Sequence, residues 1–433
     1  MTEDLERLAA SLEHYFDRLW PILRSITGAG VRQSHDILGE ILPLVRHEIP
    51  SGSQVLDWRV PKEWVVREAY VIDPRGRRIL DIRDNNLHLV NYSIAFRGNL
   101  SLAELQKHLH SLPDKPDAIP YVTSYYAPYW GFCLSHRQRE QLPDGDYQVV
   151  IDTDHIDGSL TLSDAVLPGR SQQEILLSTY TCHPSLAVNE LSGPLVCAFL
   201  YRELAALQER HYTYRFVFAP ETIGSICYLQ RHGEHLKRHL AAGFVITCNG
   251  HDAPFTYQRS RAGNSLADRA SEYVLRQRHA GFHSLRDFRP TGSDERQYCS
   301  PGFNLPVGSL MRTPYAEYPE YHTSLDNKDI VSFRAMAQSV KTYAEICRVL
   351  EMNRRYLNLQ PHGEPQLGRR GLYPSLGTQS HVERRIEALL WLLNYSDGEH
   401  DLLDIAERSG LDIGELHQAA RDCLAKGLIR ELT

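Results

Sequence analysis

The 433-residue sequence lacks several features that would place it in a specialised class of protein. It has eight cysteines, but none of them forms a C-x-x-C pair, and several fall inside predicted strands or helices. This scatter is typical of reduced core thiols and argues against a disulfide framework or a structural zinc knuckle. No run of about 18 uncharged apolar residues occurs, so the sequence predicts no membrane-spanning helix.

An excess of basic charge is also missing. The formal net charge is −7, whereas a protein that wraps nucleic acid needs a basic surface to neutralise phosphates. The N-terminus has no basic segment followed by an apolar one, so we expect no secretory leader and a soluble, cytoplasmic protein. With 42% hydrophobic and 23% charged residues, the composition is typical of a globular protein of two or three domains.

Three short apolar runs predict buried parallel strands, and each ends at a polar side chain. They are residues 174–182 before His183, residues 214–220 before Glu221, and residues 243–248 before Asn249. In open α/β sheets, ligands bind at the carboxyl ends of the strands. His183 taken alone could be a capped or core histidine, but the repetition after successive strands favours a functional site.

The segments around these strands divide the chain into domains. Residues 1–60 open with two predicted helices and join residues 165–353 in a discontinuous α/β domain. Residues 61–164 are typical of an inserted α+β domain, in which the aromatic stretch 121–132 predicts either core packing or a wall over the site. Residues 354–380, rich in proline, glycine and glutamine, predict a linker.

Residues 378–433 predict three helices followed by a strand, the pattern of a winged helix-turn-helix. Residues 383–433 nevertheless carry eleven acids and six bases, a net charge of −5. Such a module would meet DNA phosphates with the wrong sign. We therefore expect it to make protein contacts, within the chain or in a homo-oligomer, rather than to read DNA.

Five short motifs follow one another in a characteristic order along the chain. They are His183, Asn189-Glu190-Leu-Ser-Gly193, Pro220-Glu221, Ser293-Asp294 and Tyr321-His322-Thr-Ser-Leu-Asp326. This order resembles the zinc aminopeptidase superfamily, which includes bacterial leucyl aminopeptidases, glutamate carboxypeptidase and glutaminyl cyclases. Nearly the whole chain is similar to a bacterial family of aminopeptidase-like domain proteins with an inserted uncharacterised domain and a C-terminal winged helix. The resemblance implies an α/β fold, a mixed sheet flanked by helices, and metal-dependent hydrolysis of a peptide or amide.

The sequence departs from the superfamily's pattern at the metal ligands. Asn189 stands at the position of the bridging carboxylate, and Asn249 stands where a further aspartate is found, with Asp252 three residues later. Two ligands for a second zinc ion are thus missing or displaced. What remains suits one zinc ion per chain with a water in the fourth position. The expected ligands are His183, Glu190 and His322.

The same resemblance implies roles for the other motif residues. Glu221 is expected to be the general base for a metal-bound water that attacks the amide carbonyl. Asp294 and Tyr298 are expected to contact the substrate. Asp294 could instead buttress a ligand histidine or cap the short helix that follows it.

Two alternatives stand beside a zinc-dependent hydrolase of a small peptide or amide. One is a non-catalytic ligand-binding or regulatory protein with a degenerate metallopeptidase site. The other is a single-zinc deacylase or cyclase in the manner of glutaminyl cyclases. The metal content of the purified protein separates the regulatory alternative from the enzymes.

We predict that the full chain does not retain a specific DNA duplex at about 0.15 M salt. The reason is the acidic C-terminal module, because a specific complex needs several Lys or Arg contacts to phosphates. Fluorescence anisotropy with duplexes selected from a random library measures this. Saturable binding that prefers a selected sequence over a scrambled one would contradict the prediction.

Overall fold

A computed structural model describes residues 2–373 and 380–432. The chain folds into two compact units, Met1–Asp268 with Phe282–Tyr343 and Arg269–Gly281 with Ala344–Thr433. The strands are β1 (Val45–Pro50), β2 (Gln54–Val55), β3 (Trp58–Arg59), β4 (Glu63–Ile72), β5 (Arg78–Ile79), β6 (Phe96–Ser101), β7 (Leu109–His110), β8 (Phe132–Cys133), β9 (Asp146–Ile156), β10 (Ser159–Leu167), β11 (Glu174–Tyr180), β12 (Thr213–Ala219), β13 (Leu240–Val245), β14 (Phe255–Gln258), β15 (His283–Arg286), β16 (Val307–Met311), β17 (Arg355–Asn358), β18 (Asp397–Asp401) and β19 (Ile429–Leu432).

The helices follow the same chain numbering. They are α1 (Thr2–Leu19), α2 (Ala29–Leu38), α3 (Leu102–Leu105), α4 (His136–Glu140), α5 (Ser192–Ala205), α6 (Ile223–His239), α7 (Leu266–Arg278), α8 (Glu295–Tyr298), α9 (Phe333–Met352), α10 (Ser380–Tyr395), α11 (Leu402–Ser409) and α12 (Ile413–Ala425). A π-helical turn, Ala187–Leu191, precedes α5. Among the described helices, none is both long and apolar enough to span a membrane.

An eight-stranded mixed sheet forms the centre of the larger unit, in the order β1-β10-β12-β11-β13-β16-β14-β15. β12, β11, β13 and β16 are parallel, whereas β10 and β14 run antiparallel to their neighbours β12 and β16. All of β11 is buried, as expected for a strand with neighbours on both sides and helices on its faces. α5 packs on β11, and α6 packs on β10 and β13. The predicted α/β class, with a mixed sheet flanked by helices, is confirmed.

The inserted segment forms a four-stranded antiparallel sheet in the order β5-β4-β9-β6. β4 and β5 form an antiparallel hairpin in which Val71 pairs with Ile79. One hydrophobic cluster includes Trp64 and Phe132 of the insert together with Val217 of β12. The insert therefore shares its core with the central sheet, and the domain boundaries drawn from the sequence stay a prediction.

The C-terminal winged helix lies in the smaller unit and consists of α10, α11 and α12 followed by β19. Its sheet has the order β18-β17-β19, so β17 is the central strand. β17 falls in the segment predicted as a linker, and for these four residues the linker prediction is wrong. The strand is short and precedes a proline- and glycine-rich stretch, which hides its pattern, although Tyr356 is buried as a strand residue should be. Residues 374–379 of that linker lie outside the described part.

All eight cysteines are free and buried. Burial raises the pKa of Cys227 and of Cys423 to about 12, so these thiols are protonated and unreactive. This agrees with the expectation of reduced core thiols.

Asp401 anchors the smaller unit through one buried carboxylate. Arg269 donates to both of its oxygens, at 2.7 and 2.8 Å, and Asn353 donates at 3.0 Å. Burial alone would raise the pKa of Asp401, but the hydrogen bonds from Arg269 and Asn353 outweigh it and lower the pKa to about 2. The ionised carboxylate thus joins α7, the end of α9 and the start of α11.

We predict that Asp401→Asn lowers the free energy of unfolding by about 2 kcal/mol at neutral pH. Because the folded pKa lies below the unfolded value of about 3.9, the stabilisation is complete above about pH 5 and disappears as the pH falls through about 2. Thermal unfolding between pH 2 and pH 7 measures this, and the deficit of the variant should shrink towards acid.

Glu407→Gln is the matched control for Asp401→Asn. It breaks a half-exposed ion pair with Arg276 in the same unit and should change stability by less than ~0.5 kcal/mol. A deficit for Asp401→Asn that does not depend on pH, or one no larger than that of the control, would contradict the prediction.

Candidate functional site

The site lies at the carboxyl ends of two adjacent parallel strands. β11 and β12 pair in register up to Tyr180 and Ala219, and His183 and Glu221 follow these residues by three and two positions. Parallel neighbours end at the same edge of a sheet, so the two side chains converge. Nε2 of His183 lies 3.5 Å from Oε2 of Glu221.

His183 stands between two carboxylates. While Nε2 faces Glu221, Nδ1 lies 2.7 Å from Oε2 of Glu190 and 3.3 Å from Sγ of Cys182. The ring is almost fully buried, and burial opposes its charge. The neighbouring Cys182 and Glu190 nevertheless hold the pKa of His183 well above its ordinary value. The imidazole therefore has one nitrogen committed to Glu190 and the other directed towards Glu221.

Glu190 is completely buried in the π-helical turn. Its Oε1 has no hydrogen-bond partner among the described residues, but the guanidinium of Arg24 lies 3.9 Å away. Arg24 is itself 1% exposed, and its Nε donates to the carbonyl oxygen of His183 at 3.0 Å. The segment after α1 thus supplies a cation beneath the site that the sequence analysis did not include.

His322 reaches the site from the loop between β16 and α9. Its Nε2 lies 3.1 Å from Oδ1 of Asn189, whose amide nitrogen donates to the hydroxyl of Tyr180. The rings of His322 and His183 are 5.5 Å apart. Burial, and then the charge of His183, lower the pKa of His322 to about 3. His322 is therefore a neutral imidazole beside the other site histidine.

The His322 loop is tied to the π-helical turn by Asp326. Its carboxylate accepts hydrogen bonds from the backbone N–H groups of Ala187, Val188 and Asn189 at 3.2, 2.7 and 3.1 Å. The hydroxyl of Tyr318 donates to the same group at 2.8 Å. The two segments that carry His322 and Glu190 are thus fixed to each other by protein contacts.

Asp294 lies behind Glu221. Its Oδ1 accepts from the backbone N–H of Thr222 at 2.7 Å and from the hydroxyl of Ser225 at 2.9 Å. Burial, and then the charge of Glu221, raise the pKa of Asp294 to about 8. The side chain makes no capping bond to its own short helix; it holds the start of α6 instead.

Tyr298 is placed apart from this group. It is fully buried, and its hydroxyl hydrogen bonds with Ser178 in the middle of β11 at 2.8 Å. Its described contacts are with the core and not with His183, Glu190, Glu221 or His322.

The aromatic stretch of the insert divides between the site and the core. The ring of Tyr121 lies 5.1 Å from His183 and 5.3 Å from His322, and its hydroxyl is 2.6 Å from that of Tyr125. Tyr126 is exposed. Trp130, by contrast, stacks between Phe96 and His108. Tyr121 and Tyr125 thus form one wall of the site, and Trp130 belongs to the core.

The donor chemistry fits a single metal ion better than two. His183 has Glu221 3.5 Å from its Nε2 and the ring of His322 5.5 Å from its own ring, and two imidazoles with one carboxylate are a usual donor set for catalytic zinc. For a second ion the expected positions hold neutral amides, Asn189 and Asn249. Asn249 donates through its amide nitrogen to the carbonyl oxygens of Thr247 and Leu310, and its buried Oδ1 has no hydrogen-bond partner among the described residues. Among the described residues, the one group whose ligand atoms all lie within 4.8 Å of each other is Cys182, His183 and Glu190.

Comparison with known proteins gives a family for both parts of the chain. Residues 13–353 match a family described as a domain of unknown function (DUF4910), and residues 354–431 match a winged helix-turn-helix family. A "Putative polysaccharide biosynthesis protein with aminopeptidase-like domain" from Clostridium acetobutylicum is 46% identical over 405 residues, which cover 93% of this chain and 92% of that protein. The crystal structure of a "putative peptidase" from Clostridium acetobutylicum is 42% identical, with a TM-score of 0.91 over 99% of this chain and 98% of that one.

A zinc aminopeptidase from Bacillus subtilis, BSAP, shares the fold at low identity. It is 12% identical, with a TM-score of 0.57 over 77% of this chain and 93% of its own. At this identity the likeness shows the fold alone. Together with the family matches, it confirms the resemblance inferred from the sequence motifs. The chain belongs to the DUF4910 family, with an aminopeptidase-like fold and a C-terminal winged helix-turn-helix.

Proposed function

We propose that the protein is a zinc-dependent hydrolase of a small peptide or amide. The observation that carries the proposal is that His183, after β11, lies against Glu221, after β12, and against the ring of His322 from the loop between β16 and α9, under a wall formed by Tyr121 and Tyr125. The names of its relatives, a peptidase and a polysaccharide biosynthesis protein with an aminopeptidase-like domain, support an amide bond as the target. The eight free thiols support a reducing, cytoplasmic location.

The geometry supports a different ligand set from the one expected from the sequence. Glu190 contacts Nδ1 of His183, and the two nitrogens of an imidazole point in different directions. A carboxylate on the Nδ1 side cannot share a metal ion with Nε2. We therefore assign zinc to His183 Nε2, Glu221 and His322, with Glu190 as the group that orients His183, as carboxylates often do for ligand histidines. A bound zinc ion would supply a Lewis acid that polarises the amide carbonyl and acidifies water.

The neighbouring residues position these three ligands. Asp294 holds the backbone of Thr222, next to Glu221, and so fixes the direction of that carboxylate. This supports a buttressing role for Asp294. Tyr298 is left out of the proposed site, because its described contacts lie in the core.

The proposed stoichiometry is one zinc ion per chain. Asn189 and Asn249 are neutral amides, and an amide binds zinc far less readily than thiolate, imidazole or carboxylate. Asp252, the displaced candidate for a second site, is exposed. The proposed metal site therefore has one set of strong donors.

We predict that Glu221→Gln and Glu190→Gln differ in zinc content. Glu221→Gln should lose the metal because it removes a ligand. Glu190→Gln should still hold one equivalent, with affinity lowered about 10–100-fold, because the amide oxygen can still accept from Nδ1 of His183. Elemental analysis of both variants after dialysis against a graded zinc buffer measures this.

The reverse result would restore the assignment made from the sequence. If Glu221→Gln kept zinc while turnover fell roughly 10²–10⁴-fold, Glu221 would be the general base, and loss of zinc from Glu190→Gln would make Glu190 the ligand. Glu320→Gln, a carboxylate on the same loop as His322 with no ion pair among the described residues, is the control and should bind zinc as the wild type does.

The function itself is tested with a panel of aminoacyl and N-acyl amides on zinc-loaded protein. We predict that at least one class is hydrolysed, that chelation abolishes the activity, and that one equivalent of zinc restores it. His322→Ala should be inactive on the same substrate. Failure to bind zinc even when it is supplied would favour the non-catalytic alternative and contradict the proposal.

A further inference from the structure

The first helix of the winged helix is apolar on two faces. Ala388, Leu389, Leu392 and Leu393 of α10 are buried within the module. A second stripe on the same helix, formed by Ile386, Leu390, Trp391 and Tyr395, lines an open groove of about 610 Å³ and is only half-buried. A surface helix of a globular protein usually has one apolar face. The second stripe therefore indicates a surface that binds a partner.

Opposite charges mark the two ends of this stripe. Glu383 and Glu387 stand at its N-terminal end and line the groove. At the C-terminal end, the guanidinium of Arg408 lies 5.4 Å from the centre of the Tyr395 ring. All three charged side chains are exposed, and none of them has an ion-pair partner within residues 2–373 and 383–432. The stripe thus has an acidic end and a basic end, both unpaired.

This arrangement is self-complementary under a two-fold axis. The stripe runs from Ile386 to Tyr395, ten residues of helix or about 15 Å, and Leu390 lies close to its middle. In an antiparallel pair of α10 helices, the acidic end of each copy would meet the basic end of the other, and the apolar stripes would cover each other. Surfaces that match themselves in this way form closed C2 dimers.

We propose that the protein forms a homodimer through antiparallel pairing of α10, with Trp391 in the apolar centre and Glu383 and Glu387 facing Arg408 of the second copy. A second groove of about 580 Å³ adjoins the stripe through Leu390 and Asn394 and widens the surface. An anionic membrane surface fits less well, because two unpaired acids lie beside the apolar stripe. The inference is independent of the proposed zinc chemistry.

The test is sedimentation velocity of the full chain over a concentration series. We expect a dimer for the wild type. Trp391→Glu should raise the dissociation constant at least about 100-fold, because it places charge in the apolar centre. Leu424→Glu, an exposed leucine in the same module but outside the stripe, is the matched control and should leave the dimer intact.

A charge exchange tests the antiparallel register without altering the core. Arg408→Glu should raise the dissociation constant roughly 10-fold, since two symmetric attractive contacts become repulsive. Adding Glu383→Arg and Glu387→Arg to that variant should restore the wild-type value. A monomeric wild type, a dimer insensitive to Trp391→Glu, or an exchange that fails to restore affinity would each overturn the proposal.

Discussion

The buried chain of contacts from Arg24 through Glu190 to His183 is the constraint on which the rest of the site depends. A carboxylate without solvent is costly unless it is paired and hydrogen-bonded. Glu190 meets this requirement with Nδ1 of His183 on one oxygen and the guanidinium of Arg24 near the other. These contacts hold three segments together: the turn after α1, the loop after β11 and the π-helical turn.

Four residues around the same place have strained backbones. Ser185, Thr222, Cys248 and His322 have φ values of 45°, 64°, 52° and 54°, a region that residues other than glycine rarely adopt. Each such residue costs on the order of 1 kcal/mol or more and persists only where its surroundings dictate it. The hydrogen bonds that Asp294 and Asp326 accept from backbone N–H groups provide that restraint beside Thr222 and across from His322. These hydrogen bonds thus offset the backbone strain and hold the site side chains in fixed directions.

Much of the architecture could be predicted because it follows from local hydrophobic patterns in the sequence. The apolar runs that become β11 and β12 end where the site begins, so the edge that carries His183 and Glu221 follows from periodicity alone. The roles within the site could not be predicted in this way. Which nitrogen of His183 faces Glu190 depends on the π-helical turn. Arg24 is 159 residues from His183 in the sequence, and only the fold brings the two into contact. Neither contact can be predicted from the spacing of residues in the sequence.

The aromatic stretch of the insert shows the same contrast. Trp130 and Tyr121 belong to one aromatic stretch, yet one stacks in the core and the other lies against His183. Residues 121–130 are loop and turn apart from an isolated bridge at Thr123. No strand alternation therefore assigns their side chains to a face, and only the folded structure shows which of them meet the site.

The position of β17 has a consequence for how the C-terminal module is bounded. Because β17 lies between β18 and β19 and pairs with both, the module is topologically complete only from about residue 354, where the winged-helix family match also begins. A fragment cut at the start of α10 would leave the inner edges of β18 and β19 without their shared neighbour, and unpaired edges recruit other chains. If this module were transferred to another protein in evolution, the four residues of β17 would have to be transferred with it.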